Sequence, residues 1–188
     1  KDIMSVSMIQ ANISSFEYRT ANRDVIKMKN IFKRYLNISQ QAVKKHGSDI
    51  IVWPEGAVHR WLLRLPEYSN KVKSFAKNNE AYLVIGTPDL TISDKEYNSS
   101  YVITPEGKVA GKYYKNTLIP FWEGVYIPGE YVNPIITDKF VAGINICFEV
   151  LFPDIAAEHI KKGANILFVQ SNNGMFNYTF TPYLTSAF

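Results

Sequence analysis

The stretch Gly143-Ile144-Asn145-Ile146-Cys147-Phe148-Glu149-Val150-Leu151-Phe152-Pro153-Asp154 decides how the rest of the chain is read. The apolar run from Phe140 to Ile146 has the character of a buried strand. Phe152-Pro153 turns the chain, and Asp154 is placed to cap a helix over Ile155 to Lys162, which Gly163 ends. Cys147 therefore stands where a strand hands over to a helix. Backbone N–H groups and the positive end of a helix dipole at such a junction favour a thiolate. A lone cysteine is more often a small, inert core residue. It is the only cysteine in the sequence, so an intrachain disulfide is ruled out and the surrounding chain must decide between the two readings.

The 188 residues suffice for one domain with a sizeable core. Hydrophobic residues at 46% and charged residues at 20% are those of an ordinary globular protein. With 12 Tyr and 11 Phe the chain has ample aromatic surface for apolar or acyl-chain contacts. The net charge of +4 suits an anionic membrane surface as well as nucleic acid. The basic residues are spread over amphipathic segments without an arginine-rich block, so nucleic acid is not expected as a partner. No apolar stretch approaches the roughly 20 residues needed to span a bilayer, and no secretory signal is visible. The first residue is not Met, and the sequence is expected to be a piece of something longer.

Outward from the cysteine, strands and helices alternate. Met4 to Ile9 reads as a first strand, with Gln10 to Ile13 its exit loop. Asp24 opens a helix whose inner face carries Val25, Met28, Phe32, Tyr35, Leu36 and Val43, and Gly47 ends it. Lys27, Lys29, Lys33 and Arg34 form its solvated face. Ser48 to Trp53 is a strand apolar on both sides, as in a covered sheet. It runs into Pro54-Glu55-Gly56, and a carboxylate at the carboxyl end of a buried strand is well placed as a general base. A second helix over Glu67 to Asn79 precedes a strand over Ala81 to Gly86. Asn98 to Thr104 and Val109 to Tyr114 form a hairpin closed by Pro105-Glu106-Gly107. Tyr113 to Glu123 is too apolar around Lys115 for an ordinary loop, so that lysine must snorkel or meet a carboxylate. Asn165 to Gln170 is another buried strand, followed by the loop Ser171-Asn172-Asn173-Gly174. The pattern is that of an α/β domain with a sheet covered by helices. His46, His59 and His159 lack metal-ligand spacing, and no metal or cofactor is called for.

Glu55, Lys115 and Cys147 would together supply a base, a cation and a nucleophile, which is what thiol acyl chemistry requires. No histidine is placed to pair with Cys147 in a papain-like manner. Trp53-Pro54-Glu55, Tyr113 to Phe121, and Cys147-Phe148-Glu149 with Leu151-Phe152-Pro153 resemble, in order, the glutamate, lysine and cysteine motifs of the carbon–nitrogen hydrolase (nitrilase) superfamily. The flanks look most like those of the apolipoprotein N-acyltransferase catalytic domains, and the likeness runs from about Met4 to the end. Asn165 to Phe176 resembles the strand and asparagine-rich loop that follow the cysteine motif. Trp122 stands where those transferases usually have glycine, and Asn173 and Met175 where an aspartate and a tryptophan are common.

The resemblance implies an αββα sandwich, two central sheets covered by helices, incomplete at the carboxyl end, over a single domain spanning 1–188. It implies catalytic roles for Glu55, Lys115 and Cys147, with Glu123 and Glu149 in support. Trp53, Trp122, Phe148, Asn172 and Asn173 are the candidates for substrate contact. The implied activity moves an acyl group from a phospholipid, through a Cys147 thioester, to the N-terminal α-amino group of a lipoprotein. The implied setting is the extracytoplasmic side of a bacterial inner membrane, reached through helices outside this sequence. A soluble, cytoplasmic amidase or nitrilase using the same three residues is the alternative. A catalytically inactive binding module of the same fold is a third.

Overall fold

The computed structural model describes residues 3–58, 62–91 and 94–173. Asp24 accepts from the N–H groups of Ile26 and Lys27 and so starts the helix labelled α2, Val25–His46. Gly47, in the left-handed region at φ 59°, ends it. Its buried face carries Met28, Ile31, Phe32, Tyr35 and Ser39, whereas Val25 in the first turn is exposed rather than inward. A helix absent from the sequence reading, α1 (Ser15–Ala21), precedes it. The signal was a capping box, in which Ser14 and Glu17 satisfy each other's backbone N–H groups. The remaining helices are α3 (Pro66–Asn78) and α4 (Pro153–Lys161).

Strand β2 (Ile50–Val52) lies between β1 (Val6–Met8) and β3 (Tyr82–Leu90) and is parallel to both. Beyond β3, β4 (Glu96–Ile103) and β5 (Val109–Tyr114) continue the same sheet antiparallel. Strand β3 extends four residues past Gly86, where the sequence suggested an end. Asp89 sits inside that extension as a buried, paired carboxylate. It accepts from the Tyr114 hydroxyl at 2.6 Å and the Lys112 ammonium at 3.1 Å, with Arg64 3.5 Å away. The second sheet places β7 (Val141–Ile146) between β6 (Ile135–Ile136), antiparallel, and β8 (Ile166–Gln170), parallel.

Alternation in the strands divides the core into two layers. Ile51, Trp53, Leu83, Ile85 and Ile103 face α1, α2 and α3. Ile50, Val52, Val84 and Val102 face Ala142, Ile144, Ile146 and Phe168 of the second sheet. Helix α4 packs on β7, where Gly143 leaves room for the His159 ring and Leu167. The result is the αββα sandwich. At one edge the carboxyl ends of β2 and β8 meet, and the Gln170 side-chain amide donates to the Trp53 carbonyl at 2.6 Å. No helix among the described residues is long and apolar enough to cross a membrane.

Trp53 fixes where β2 ends. Its ring is wholly buried, and its indole N–H donates to Ser39 Oγ at 2.9 Å, which in turn donates to the Tyr35 carbonyl. Ser39→Ala leaves that N–H without a partner in the core. The expected cost is about 1–3 kcal/mol, read as a lower urea midpoint with unchanged slope for the full-length protein. An unchanged midpoint would contradict the assigned role of this bond.

Candidate active site

Glu55 is delivered by the turn that follows β2. Gly56 takes φ 57°, and the neighbouring β3 backbone runs close beneath. A Cβ at Gly86 would lie 2.7 Å from Glu55 Cα and collide with the Pro54 carbonyl, so only glycine admits this approach. Of the carboxylate oxygens, Oε1 accepts from Asn98 Nδ2 at 2.8 Å and lies 3.5 Å from Lys115 Nζ. Oε2 accepts the Asn172 N–H at 3.0 Å.

Lys115 follows β5 and has no solvent exposure. It does not snorkel. Its Nζ stands 2.8 and 3.0 Å from the two oxygens of Glu123. Burial works against the charge, but Glu55 and then Glu123 outweigh it and hold the ammonium above the ordinary lysine range. Glu123 is fixed by the Ile119 N–H at 2.8 Å across a tight loop in which Phe121 has φ 65°. Trp122, beside it, is largely exposed and its loop still brings Glu123 to Lys115.

Cys147 ends β7 with φ 52°, a conformation that costs a non-glycine residue of order 1–3 kcal/mol and turns the chain sharply. A 3₁₀ turn over Cys147–Leu151 follows directly. Helix α4 starts only at Pro153, after Phe152, which makes no side-chain cap; Asp154 lies in its first turn instead of capping it. The thiol faces Glu55 and the Ser171 hydroxyl and is 4% exposed as a residue. Burial, and then the Glu55 carboxylate, push it up to about 11, while Lys115 and Ser171 pull the other way. Burial and Glu55 thus outweigh what favours a thiolate at this junction. The lysine charge is already engaged by two carboxylates, and the helix that was to supply its dipole begins six residues later.

Glu149 lies behind the cluster as a strut. Its Oε1 accepts from the Tyr113 hydroxyl at 2.8 Å and from the N–H groups of Asn116 at 2.6 Å and Thr117 at 3.2 Å. Its Oε2 accepts the Ile146 N–H at 2.8 Å. One buried side chain thereby ties the lysine loop to the cysteine turn, and burial raises its carboxyl above the usual range.

Of the candidates for substrate contact, Trp122 and Asn172 line the cavity around Cys147. The Trp53 ring is core and unavailable to a substrate. Phe148 packs edge-on against Phe152, with centroids 5.2 Å apart. Asn173 accepts from Ser171 Oγ at 2.9 Å and borders a neighbouring cavity. Sequence reasoning passed over Asn98 and Ser171; a buried asparagine inside the strand run Tyr97 to Ile103 was the visible signal. His159 is buried and bonded to the Ile144 carbonyl, burial holding its imidazole below the usual range. His46 is exposed, and His59 and Met175 lie outside the described residues. Among the described residues no cluster of three or more His, Cys, Asp or Glu side chains could hold a metal. The cavity is about 640 Å³ and is lined by Glu55, Asn98, Glu123, Cys147 and Asn172 together with Ile119, Trp122, Val125, Tyr126, Tyr18 and Arg19.

The family model for carbon–nitrogen hydrolases matches residues 5–184. An apolipoprotein N-acyltransferase of Geobacter metallireducens is 28% identical over 170 residues, covering 79% of this chain and 33% of that protein. The chain thus spans about a third of the length of that curated relative. A solved carbon–nitrogen hydrolase from Helicobacter pylori superimposes with a TM-score of 0.67 at 26% identity, over 77% of this chain and 55% of that one. An amidase from Nesterenkonia shares the fold, with a TM-score of 0.66 at 16% identity, over 89% of this chain and 64% of its own.

A thiol pushed up to about 11 is protonated at neutral pH. Iodoacetamide labelling of Cys147, followed by intact mass, should therefore keep accelerating through pH 10. At pH 8 it should be slower than for free cysteine, whose pKa is about 8.5. A reactivity midpoint near pH 7 would contradict this picture.

Proposed function

The chain belongs to the carbon–nitrogen hydrolase family, and from that premise we propose that it carries the catalytic site of a thiol-dependent acyl transfer. The acyl donor is a phospholipid and the acceptor is the N-terminal α-amino group of a lipoprotein. The observation that carries this reading is the buried contact of Lys115 with Glu55 and Glu123 beside the Cys147 thiol, next to a cavity that Glu55, Glu123 and Cys147 line together with Ile119, Trp122 and Val125. The likeness to a curated apolipoprotein N-acyltransferase supports the choice of donor and acceptor.

In this reading Glu55 is the base. As Cys147 Sγ attacks the ester carbonyl, the thiol proton passes to Glu55 and the S–C bond forms. Transfer is coupled to attack because the resting thiol is neutral. The ammonium of Lys115 faces the developing oxyanion, and Glu123 holds that ammonium in place. Collapse breaks the ester C–O bond, with Glu55 returning the proton to the leaving lysolipid alkoxide. The acceptor amine then attacks the thioester, gives its proton to Glu55, and displaces Cys147, which is reprotonated. Phe121, Trp122 and Val125, all exposed beside the cavity, suit a long acyl chain entering from a lipid phase. The domain works at the extracytoplasmic face of the inner membrane, held there by helices outside this sequence.

The amidase reading uses the same steps with an amide substrate and water as acceptor, and the shared fold with the Nesterenkonia amidase favours it. The two readings part at the fate of the thioester. Full-length protein given phospholipid should show an acyl adduct by intact mass, located on Cys147 and absent in Cys147→Ser. Adding a diacylated lipopeptide should discharge it as N-acyl peptide. Discharge to free fatty acid at a rate indifferent to the peptide would favour the hydrolase. An adduct on another residue would remove Cys147 from the mechanism, and no adduct with any ester or amide would leave the binding module.

A further inference from the structure

Two carboxylates converge on one ammonium in this site, and Lys115 cannot by itself satisfy them. Glu55 and Glu123 carry two negative charges against one positive, in a pocket where all three side chains are largely out of water. The deficit is met by a neutral residue. Asn98 Nδ2 donates to Glu55 Oε1 at 2.8 Å and to Glu123 Oε1 at 2.9 Å, so one side-chain amide nitrogen directs a bond at each carboxylate. Lys115 Nζ reaches the same two oxygens, at 3.5 and 3.0 Å. Two donors and two acceptors thus form a closed ring.

We propose that Asn98 is a positioning residue for the proton transfer, holding the Glu55 carboxylate turned toward the Cys147 thiol. The inference rests on the reading of Glu55 as the base. Three features single out Asn98 for this role. It is 6% exposed, on β4, and its carbonyl accepts the Lys115 N–H at 2.9 Å, so backbone and side chain both register the lysine. It lines the cavity, so its amide borders the space where reactants meet. Its donors add no charge, so they stabilise the anions without neutralising them; a second lysine there would make Glu55 a weaker base. Asn98 and Lys115 hold Oε1 and the Asn172 N–H steadies Oε2, while the Cys147 thiol also interacts with this carboxylate.

Other charged or titratable groups also face this ring. Cys147 lies on the β7 side. Tyr126, held above the usual tyrosine range by burial and by Glu96, Glu55 and Glu123, lies on the loop side. Tyr18 and Arg19 are across the cavity on α1. None of them donates to both carboxylates.

The test is the pH profile of thioester formation at Cys147 in the full-length protein, with p-nitrophenyl acetate as the probe, from pH 5 to 9. In Asn98→Ala the two carboxylates lose their shared donor. In Asn98→Asp a side chain of the same shape brings a third carboxylate. Both variants should acylate at least tenfold more slowly at pH 6 and recover as pH rises, their acid limb displaced upward by about one unit or more. A uniform loss with an unmoved acid limb would make Asn98 a packing residue and overturn the inference, as would wild-type profiles in both variants. If Asn98→Ala does not fold, the isosteric Asn98→Asp decides by the same criterion. Wild-type protein that forms no thioester at Cys147 overturns the base assignment and this inference together. Wild-type acylation with unmoved acid limbs overturns this inference alone.

Discussion

The structure depends on keeping one ammonium charged out of contact with water. Lys115 has no exposed surface, and an isolated buried charge of that kind is too costly to retain. Glu123 meets it at 2.8 Å and Glu55 at 3.5 Å, and the asymmetry is informative. The close pair anchors the lysine, and the looser one leaves Glu55 bonded chiefly to Asn98 and the Asn172 N–H. The local chain follows from that requirement. The Ile119–Glu123 loop folds tightly enough for Ile119 to hold Glu123, with Phe121 in a left-handed conformation that a free loop would avoid. Gly86 stays free of a side chain so that the Pro54–Glu55 backbone can come near.

A second buried carboxylate solves a different problem. The turn at Cys147 and the loop after Lys115 belong to different sheets, and nothing in strand pairing fixes one against the other. Glu149 does so by accepting backbone N–H groups from both, with the Tyr113 hydroxyl in addition. Backbone donors that would otherwise be stranded beside a strained turn are satisfied in the same stroke. The Cys147 turn and the loop after Lys115 are therefore tied together through one buried side chain.

Much of this was legible in the chain. Apolar runs ending in Glu55, Lys115 and Cys147 located three groups at strand ends, because burial and turn chemistry are local properties. Asp24 and Gly47 bounded α2 for the same reason. What escaped the sequence was relational. Asp89 lay beyond the strand read over Ala81 to Gly86, and its place in β3 rests on Arg64, Lys112 and Tyr114, all distant in sequence. Asn98 looked like any strand polar residue until two carboxylates were seen to share its amide. Backbone N–H groups and a helix end at the strand-to-helix junction were expected to favour a thiolate. Burial and Glu55 outweigh both, a balance that depends on distances no spacing rule supplies. Helix α1 was missed despite a local signal, since Ser14 and Glu17 stood at capping-box spacing.

In the proposed mechanism Lys115 is the cation of an acyl-transfer site and more than a buried structural charge. Lys115→Met in the full-length protein keeps most of the apolar stem and removes the ammonium, so acyl-enzyme formation from phospholipid isolates the charge. Pre-steady-state quenching with intact-mass detection should find a folded protein whose Cys147 acylates on the order of 10²–10³ times more slowly than wild type. Acylation at a rate near that of wild type would contradict the claim and, with it, the proposed mechanism.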